Sequence, residues 1–176
     1  WQGYQTFLSE KENPLSPQVI DSMDRATNKI VDLFGDPRKE GTWKRRGLVI
    51  GDVQSGKTAT YLGLVNKAAD AGYRLIILLA GGTESLRKQT QERVDEGFTG
   101  RDSRIMKEDK TIGVGLYKSS QISILANSLT TQPQDFNKAA ATSGNQDIDP
   151  KYETPIVFVI KKNKTALENV ITWYKA

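Results

Sequence analysis

The sequence predicts an α/β fold, a mostly parallel sheet between helical layers, and three observations predict it. Residues Gly51 to Thr58 read GDVQSGKT and match the phosphate-loop pattern G-x-x-x-x-G-K-[ST] at every fixed position. Three short runs, Gly47–Ile50, Arg74–Ala80 and Ile156–Ile160, have the continuous hydrophobicity of strands covered on both faces. Segments of helical periodicity follow these runs, the alternation that builds a three-layer sheet.

An N-terminal helical segment, residues 1–40, is expected ahead of a phosphate-loop domain at 41–176. Ser16 and Pro17 form an N-cap followed by proline at the first helical position, where its missing N–H costs nothing. Val19, Met23, Ala26, Ile30 and Phe34 mark one helical face, and Gly35-Asp36-Pro37 stops it. The strand Gly47–Ile50 leads into the loop, after which Tyr61, Val65, Ala68 and Ala69 recur at helical spacing until Gly72. Arg74–Ala80 is the second buried strand. Gly81-Gly82-Thr83 then turns into a polar helix from Glu84 to Glu96, closed by Gly97. Phe98 to Lys110 reads as loop and Thr111–Leu116 as a strand, while Ser119–Leu129 is ambiguous. Thr130–Thr154 is rich in Thr, Gln, Asn, Asp and Pro and reads as a long excursion, with room for a short helix at Phe136–Ala141. Pro155 introduces the strand Ile156–Ile160, and a last helix starts at Lys164 and reaches Trp173.

Each fixed position of the loop has a physical task. Gly51 and Gly56 let the backbone curl so that the N–H groups of Asp52, Val53, Gln54 and Ser55 converge on a β-phosphate. Lys57 brings a point charge to the β- and γ-phosphates, and the Thr58 hydroxyl is a ligand for Mg²⁺. The helix beginning there, with Ala59 in its first turn, adds the positive end of its dipole. Chance places such a pattern in roughly one chain in a hundred of this length. The flanking strand and helix therefore decide, and they favour a nucleotide-binding loop for ATP and Mg²⁺.

Composition bounds the remaining choices. With 37% hydrophobic and 26% charged residues, the chain reads as an ordinary water-soluble domain. The longest apolar run, Leu75 to Ala80, is too short to span a bilayer, and the opening residues do not form a signal peptide. There is no cysteine and no histidine, which excludes disulfides, thiolate or imidazole metal sites and a histidine general base. A cytoplasmic protein without a membrane partner is expected. The chain opens on Trp1 and stops at Lys175-Ala176 within helical periodicity, so further sequence is expected and the core is expected to be incomplete. The net charge of +4 is mild. Locally, PRKEGTWKRR, Pro37 to Arg46, sets Arg38, Lys39, Lys44, Arg45 and Arg46 against Glu40. That cluster reads as a solvated loop or as a phosphate-contacting edge with Trp43 available to stack.

The phosphate-loop classes separate by what else they need. A GTPase would read its base with Asn-Lys-x-Asp after a strand, but Asn66-Lys67-Ala68-Ala69-Asp70 has the wrong spacing and lies on the loop's own helix. A small kinase would carry an arginine-rich lid, and Thr130–Thr154 contains no arginine. In a nucleic-acid-dependent ATPase, the turn after the next strand offers N–H groups and hydroxyls to a nucleic-acid phosphate. Gly81, Gly82, Thr83, Ser85 and Arg87, with Lys88, suit that task and equally suit a glycine turn leading into a solvated helix. Neither Arg74–Ala80 nor Ile156–Ile160 ends in the carboxylate that a hydrolytic site uses to hold Mg²⁺ and orient water. The chain is thus expected to bind ATP without turning it over, the acidic strand lying downstream. A small phosphotransferase and a nucleotide-binding regulatory module are the alternatives.

The run from Gly47 to Phe98, with VQSGKTA, KAADAGY and LAGG followed by LRKQTQ, resembles the start of the bacterial Z-one domain family. Its members are described as endonucleases or helicase-like ATPases of phage-defence and restriction-type gene clusters. The resemblance extends more weakly to Gly41–Lys44 and to Pro155–Asn163. It implies a superfamily-two, helicase-type ATPase with a RecA-like first domain, DNA as its partner, and contacts with other proteins of the same gene cluster. It carries over Gly51, Gly56, Lys57 and Thr58 as nucleotide-binding positions, with Lys57 in the catalytic role. It also carries over the Gly81-Gly82-Thr83 turn as a nucleic-acid contact, and it places the acidic magnesium motif beyond Ala176. For nuclease chemistry, Glu108-Asp109-Lys110 matches the E-x-K end of a metal-nuclease motif, with Asp95 or Asp102 as first carboxylate. The flanking residues carry too little apolar material to build converging strands, so a solvated loop is the favoured reading there.

Overall fold

The computed structural model describes residues 1–41, 44–50, 56–104, 110–117, 126–137 and 154–175. They divide between two units, Trp1–Tyr73 and Arg74–Ala176. The break falls between residues 73 and 74 instead of the expected 40 and 41. The N-terminal helices therefore belong with the helix that follows the phosphate loop.

The regular structure described in the first unit is helical: α1 (Gln2–Glu10), α2 (Pro17–Val31) and α3 (Lys57–Asp70). Ser16 caps α2 by accepting from the Val19 N–H, and Pro17 occupies the first turn, as its sequence predicts. The buried stripe of α2 is Ile20, Met23 and Thr27, whereas Val19 is 51% exposed and Ala26 also faces water. Thr27 displaces the expected apolar positions because its hydroxyl donates to the Met23 carbonyl at 2.7 Å, so no polar atom is buried unmatched. Helix α3 ends at the glycine that predicts its end. Gly72, at φ +106°, donates to the Ala69 carbonyl, and Tyr73 donates to that of Ala68. These are the paired bonds of a left-handed helix ending.

The expected strand at Gly47–Ile50 does not form. Leu48, Val49 and Ile50 are 84%, 51% and 86% exposed and belong to no sheet among the described residues. A strand needs a neighbour that offers unpaired N–H and C=O groups, and the described elements of this unit are helices, which keep those groups for themselves.

The second unit holds a small parallel sheet. Its strands are β1 (Leu75–Leu79), β2 (Asn127–Ser128) and β3 (Ile156–Ile160), in the order β1-β3-β2. Leu75 stands opposite Ile156 and the register runs through to Leu79 opposite Ile160, while Asn127 and Ser128 flank Ile156 and Val157. All five residues of β3 are fully buried. Each such side chain contributes roughly 1.5–3 kcal/mol of burial, which makes β3 the axis of the core. Ile156, Phe158 and Ile160 pack with Leu129, Phe136 and Val170. Phe136, Phe158 and Trp173 meet edge-on, with ring centres 5.2–5.9 Å apart. Trp173 lies on helix α5 (Lys164–Tyr174), which Asn163 caps by accepting from Ala166 at 2.9 Å.

Three expectations change in this unit. β1, expected to be a buried strand, lies at the sheet edge among the described residues and leaves Ile77 and Leu79 42% and 47% exposed. The polar helix α4 spans Glu84–Val94 and then widens into a π-turn, Asp95–Thr99, so Gly100 (φ +74°) closes it and Gly97 lies within the turn. The expected strand Thr111–Leu116 is a single bridge, Thr111 to Arg101, followed by a 3₁₀ turn at Gly113–Tyr117. Glycines explain the difference. A Cβ on Gly113 would lie 2.0 Å from the Glu96 carbonyl oxygen, and one on Gly115 would lie 2.2 Å from that of Gly100. Backbone lies directly on backbone there, a contact that apolar periodicity does not reveal. Phe136 sits in the core outside any helix, and the rest of the expected helix Phe136–Ala141 beyond Asn137 lies outside the described residues.

Candidate functional site

Of the phosphate loop, Gly51, Asp52, Val53, Gln54 and Ser55 lie outside the described residues, and its closing half is described. Gly56 is the N-cap of α3 in the left-handed region, φ +72° and ψ 22°. A Cβ there would meet nothing within 4 Å, so the backbone conformation and not space requires glycine. Lys57 opens the helix and is exposed, while Thr58 and Ala59 are half-buried in the first turn. As a glycine, the N-cap Gly56 brings no side-chain cap to this helix start. First-turn amides, a positive dipole end, an exposed ammonium and a hydroxyl are therefore gathered within one turn, the donor set that suits a phosphate and, through Thr58, its magnesium ion. Among the described residues no cluster of three His, Cys, Asp or Glu side chains could hold a metal ion, so Thr58 alone of the expected ligands can be placed.

The glycine turn lies in the second unit, past the carboxyl end of β1. Gly81 takes φ +66°, and the backbone conformation calls for glycine, since the nearest atom to a Cβ there is the movable end of the exposed Leu86 side chain. Gly82, Thr83 and Ser85 are exposed. Thr83 caps α4 by accepting from the Leu86 N–H at 3.3 Å. Arg87 departs from its expected place at a phosphate. Its side chain is fully buried and donates to Glu84, to the Thr131 carbonyl at 2.9 Å and to the Gln132 carbonyl at 2.6 Å. These acceptors fix a loop to α4, and the guanidinium has no route to a nucleic acid.

Lys162 and Lys164 supply charge that the sequence reading missed. β1 and β3 are parallel neighbours, so the turns after them share one sheet edge. The Lys162 N–H donates to the Gly81 carbonyl at 2.6 Å and ties the two turns together. Lys162 and Lys164 are exposed beside the capping Asn163, with Lys164 paired to Glu168 at 3.7 Å on the surface of α5, and Lys161 is held by Glu84 at 3.1 Å and Asp135 at 3.5 Å. The Glu84 carboxylate is held below its ordinary range chiefly by the hydrogen bond from Arg87, with Lys161 adding to it. The signal for Lys162 and Lys164 was the equivalence of two turns after adjacent parallel strands, which a linear reading does not contain.

The basic cluster after Pro37 divides similarly. Arg38 is taken up by Asp36 at 3.1 Å, Lys44, Arg45 and Arg46 are exposed, and Trp43 lies outside the described residues. Of the nuclease residues, Glu108 and Asp109 also lie outside them. The solvated-loop reading falls mostly on residues outside the described ones, whereas Asp95 and Asp102 are described and buried. Asp95 is buried and accepts from Gln91, from the N–H and hydroxyl of Ser103, and from Gln132. Burial pushes its carboxyl above the ordinary value against these bonds. Asp102 is paired with Arg104 at 2.6 Å, whose hydrogen bonds pull its carboxyl down to about 2. Both carboxylates are committed to protein donors.

No family model matches the chain, and no curated protein or solved structure is significantly similar to it.

Proposed function

We propose that this chain is the ATP-binding part of a helicase-like, nucleic-acid-dependent ATPase. In this reading it acts on DNA in the bacterial cytoplasm, with other proteins of a defence or restriction-type gene cluster. The observation that carries it is the start of α3, where left-handed Gly56 at the N-cap, exposed Lys57 and Thr58 complete the GDVQSGKT motif. The resemblance of Gly47–Phe98 to the Z-one family supports the same assignment. The parallel β1–β3 pair and the absence of a membrane-length apolar helix among the described residues are consistent with it.

In this site the amides from Gly56 to Ala59 bind the β-phosphate, Lys57 neutralises charge across the β- and γ-phosphates, and Thr58 orients the metal. Magnesium would supply further charge neutralisation on the phosphate oxygens. The turns after β1 and β3 read Ala80-Gly81-Gly82 and Lys161-Lys162-Asn163 and bring no carboxylate to the reaction. ATP binding without steady turnover is the expected behaviour of this chain alone. Gly81, Gly82, Thr83 and Ser85, joined by Lys162 and Lys164, form the proposed contact for a nucleic-acid phosphate.

Fluorescence anisotropy with a labelled single-stranded DNA tests the combined function. Binding is expected to weaken steeply between ~50 and ~200 mM salt, as phosphate contacts do. It should respond to MgATP in the wild type but not in Lys57→Ala, and should weaken when Lys162 and Lys164 are both replaced by alanine. DNA affinity that ignores MgATP and survives the double replacement would contradict this reading.

A further inference from the structure

Helix α3 is gripped along one stripe, Ala59, Gly63 and Lys67, whose spacing of four places them on one face. At the phosphate end, Tyr4 of α1 is 2% exposed and its phenol donates to the Ala59 carbonyl at 3.2 Å. Ala59 is the residue after Thr58 and two after Lys57. In the middle, a Cβ on Gly63 would lie 3.1 Å from the Trp1 ring, so the glycine admits that ring against the helix. At the far end, Lys67 is 7% exposed and its ammonium donates to the Asp24 carboxylate at 2.6 Å, the Asp24 carbonyl at 2.8 Å and Asn28 at 2.7 Å. The same ammonium stands 4.4 Å from the centre of the Trp1 ring.

The two grips differ in strength. The Lys67 anchor joins long helices α2 and α3 through a desolvated charge with three acceptors, and losing it would leave that charge buried and unpaired. The Tyr4 anchor belongs to a helix of nine residues, too short to be stable in water without its packing surface. Trp1, the N-cap of α1, joins it to α3 again through its ring beside Lys67 and its amino group on Asp70. Helix α1, the shortest of the three, depends most on this packing and is the one whose docking nucleotide can bias. Burial, with Tyr61 adjacent, raises the Tyr4 phenol above its ordinary value and keeps it a donor.

The geometry points to α1 as a regulatory element of the nucleotide site: Tyr4, docked on the first turn of α3, positions the phosphate-binding amides, and bound nucleotide in turn holds α1 down. This inference rests on the phosphate-loop reading above. The coupling is reciprocal, because whatever factor docking adds to nucleotide affinity, nucleotide adds to docking. Tyr4 is a positioning residue here. It acts through the Ala59 carbonyl and does not reach the phosphates itself.

The test measures hydrogen exchange of the α1 amides in the full chain with and without MgADP, beside calorimetry of MgADP binding. In the wild type MgADP is expected to slow exchange across residues 4–10. Tyr4→Phe, which removes one hydroxyl, is expected to bind about fivefold more weakly, the equivalent of ~1 kcal/mol for one hydrogen bond, and to lose the slowing. A purely structural Tyr4 would lower stability without changing the response of α1 to nucleotide. Wild-type chain that binds MgADP with α1 exchange unchanged overturns the coupling alone. Wild-type chain that does not bind MgADP overturns the phosphate-loop reading and the coupling together. Should Tyr4→Phe fail to fold, the wild-type exchange result still decides.

Discussion

A buried guanidinium needs acceptors on several sides, and Arg87 has Glu84 and the carbonyls of Thr131 and Gln132. Replacing it by alanine removes the positive charge but strands two buried carbonyls, so Arg87→Ala should cost about 2–4 kcal/mol in urea unfolding. DNA affinity of the folded fraction should be unchanged. A variant as stable as the wild type that has lost DNA binding would return Arg87 to the phosphate surface. Asp102 allows a pH test at the same scale. Its folded carboxyl lies below its unfolded value, pulled down first by hydrogen bonds from Arg104. Its contribution is therefore complete above the unfolded pKa and is lost as pH falls from ~4 towards ~2. Asp102→Asn should flatten the fall in stability across that window, and an unchanged acid limb would contradict the pairing. Local conformation was legible where a motif demands it, as with left-handed Gly56 at the start of α3, while the phosphate-binding roles of Lys57 and Thr58 belong to the proposal. Individual residues were not legible where burial decides: Arg87 is identical in type to a surface arginine until its carbonyl acceptors are known.

Among the elements, those closed by a local cap were readable from the chain. Ser16-Pro17 starts α2, Gly72 ends α3, and α5 follows Asn163 because the residues that satisfy the terminal N–H and C=O groups are adjacent in sequence. Elements that need a distant partner were not. Thr111–Leu116 has strand-like composition, but glycine-mediated contact with the π-turn makes it a 3₁₀ turn. Gly47–Ile50 has the composition of a buried strand and is exposed. With Ile50 86% exposed, Ile50→Ser should change stability by no more than about 0.5 kcal/mol in chemical denaturation. A loss of several kcal/mol would show that this run is covered in solution, as a strand feeding the phosphate loop would be.

At the scale of the molecule, the α/β class and a parallel sheet built from apolar runs were legible. The two-faced burial that such runs imply holds for β3 but not for β1, where Ile77 and Leu79 are exposed. The unit boundary was not legible. Nothing in the composition of residues 1–40 says that α2 will hold Lys67 of α3, an ion pair between residues 43 apart in sequence. The proposed sites differ in how local they are: the phosphate loop is one contiguous motif that a linear reading can name, whereas the edge that carries Lys162 and Lys164 exists only once β1 and β3 are paired. The central claim is that this chain binds nucleotide phosphates through the loop that ends at Gly56, Lys57 and Thr58. Titration calorimetry of MgADP and MgATP into wild type and Lys57→Ala, the two matched by circular dichroism, tests it most directly. Saturable binding by the wild type that is abolished in Lys57→Ala is the predicted result; equal binding by both proteins, or none by the wild type, would contradict it.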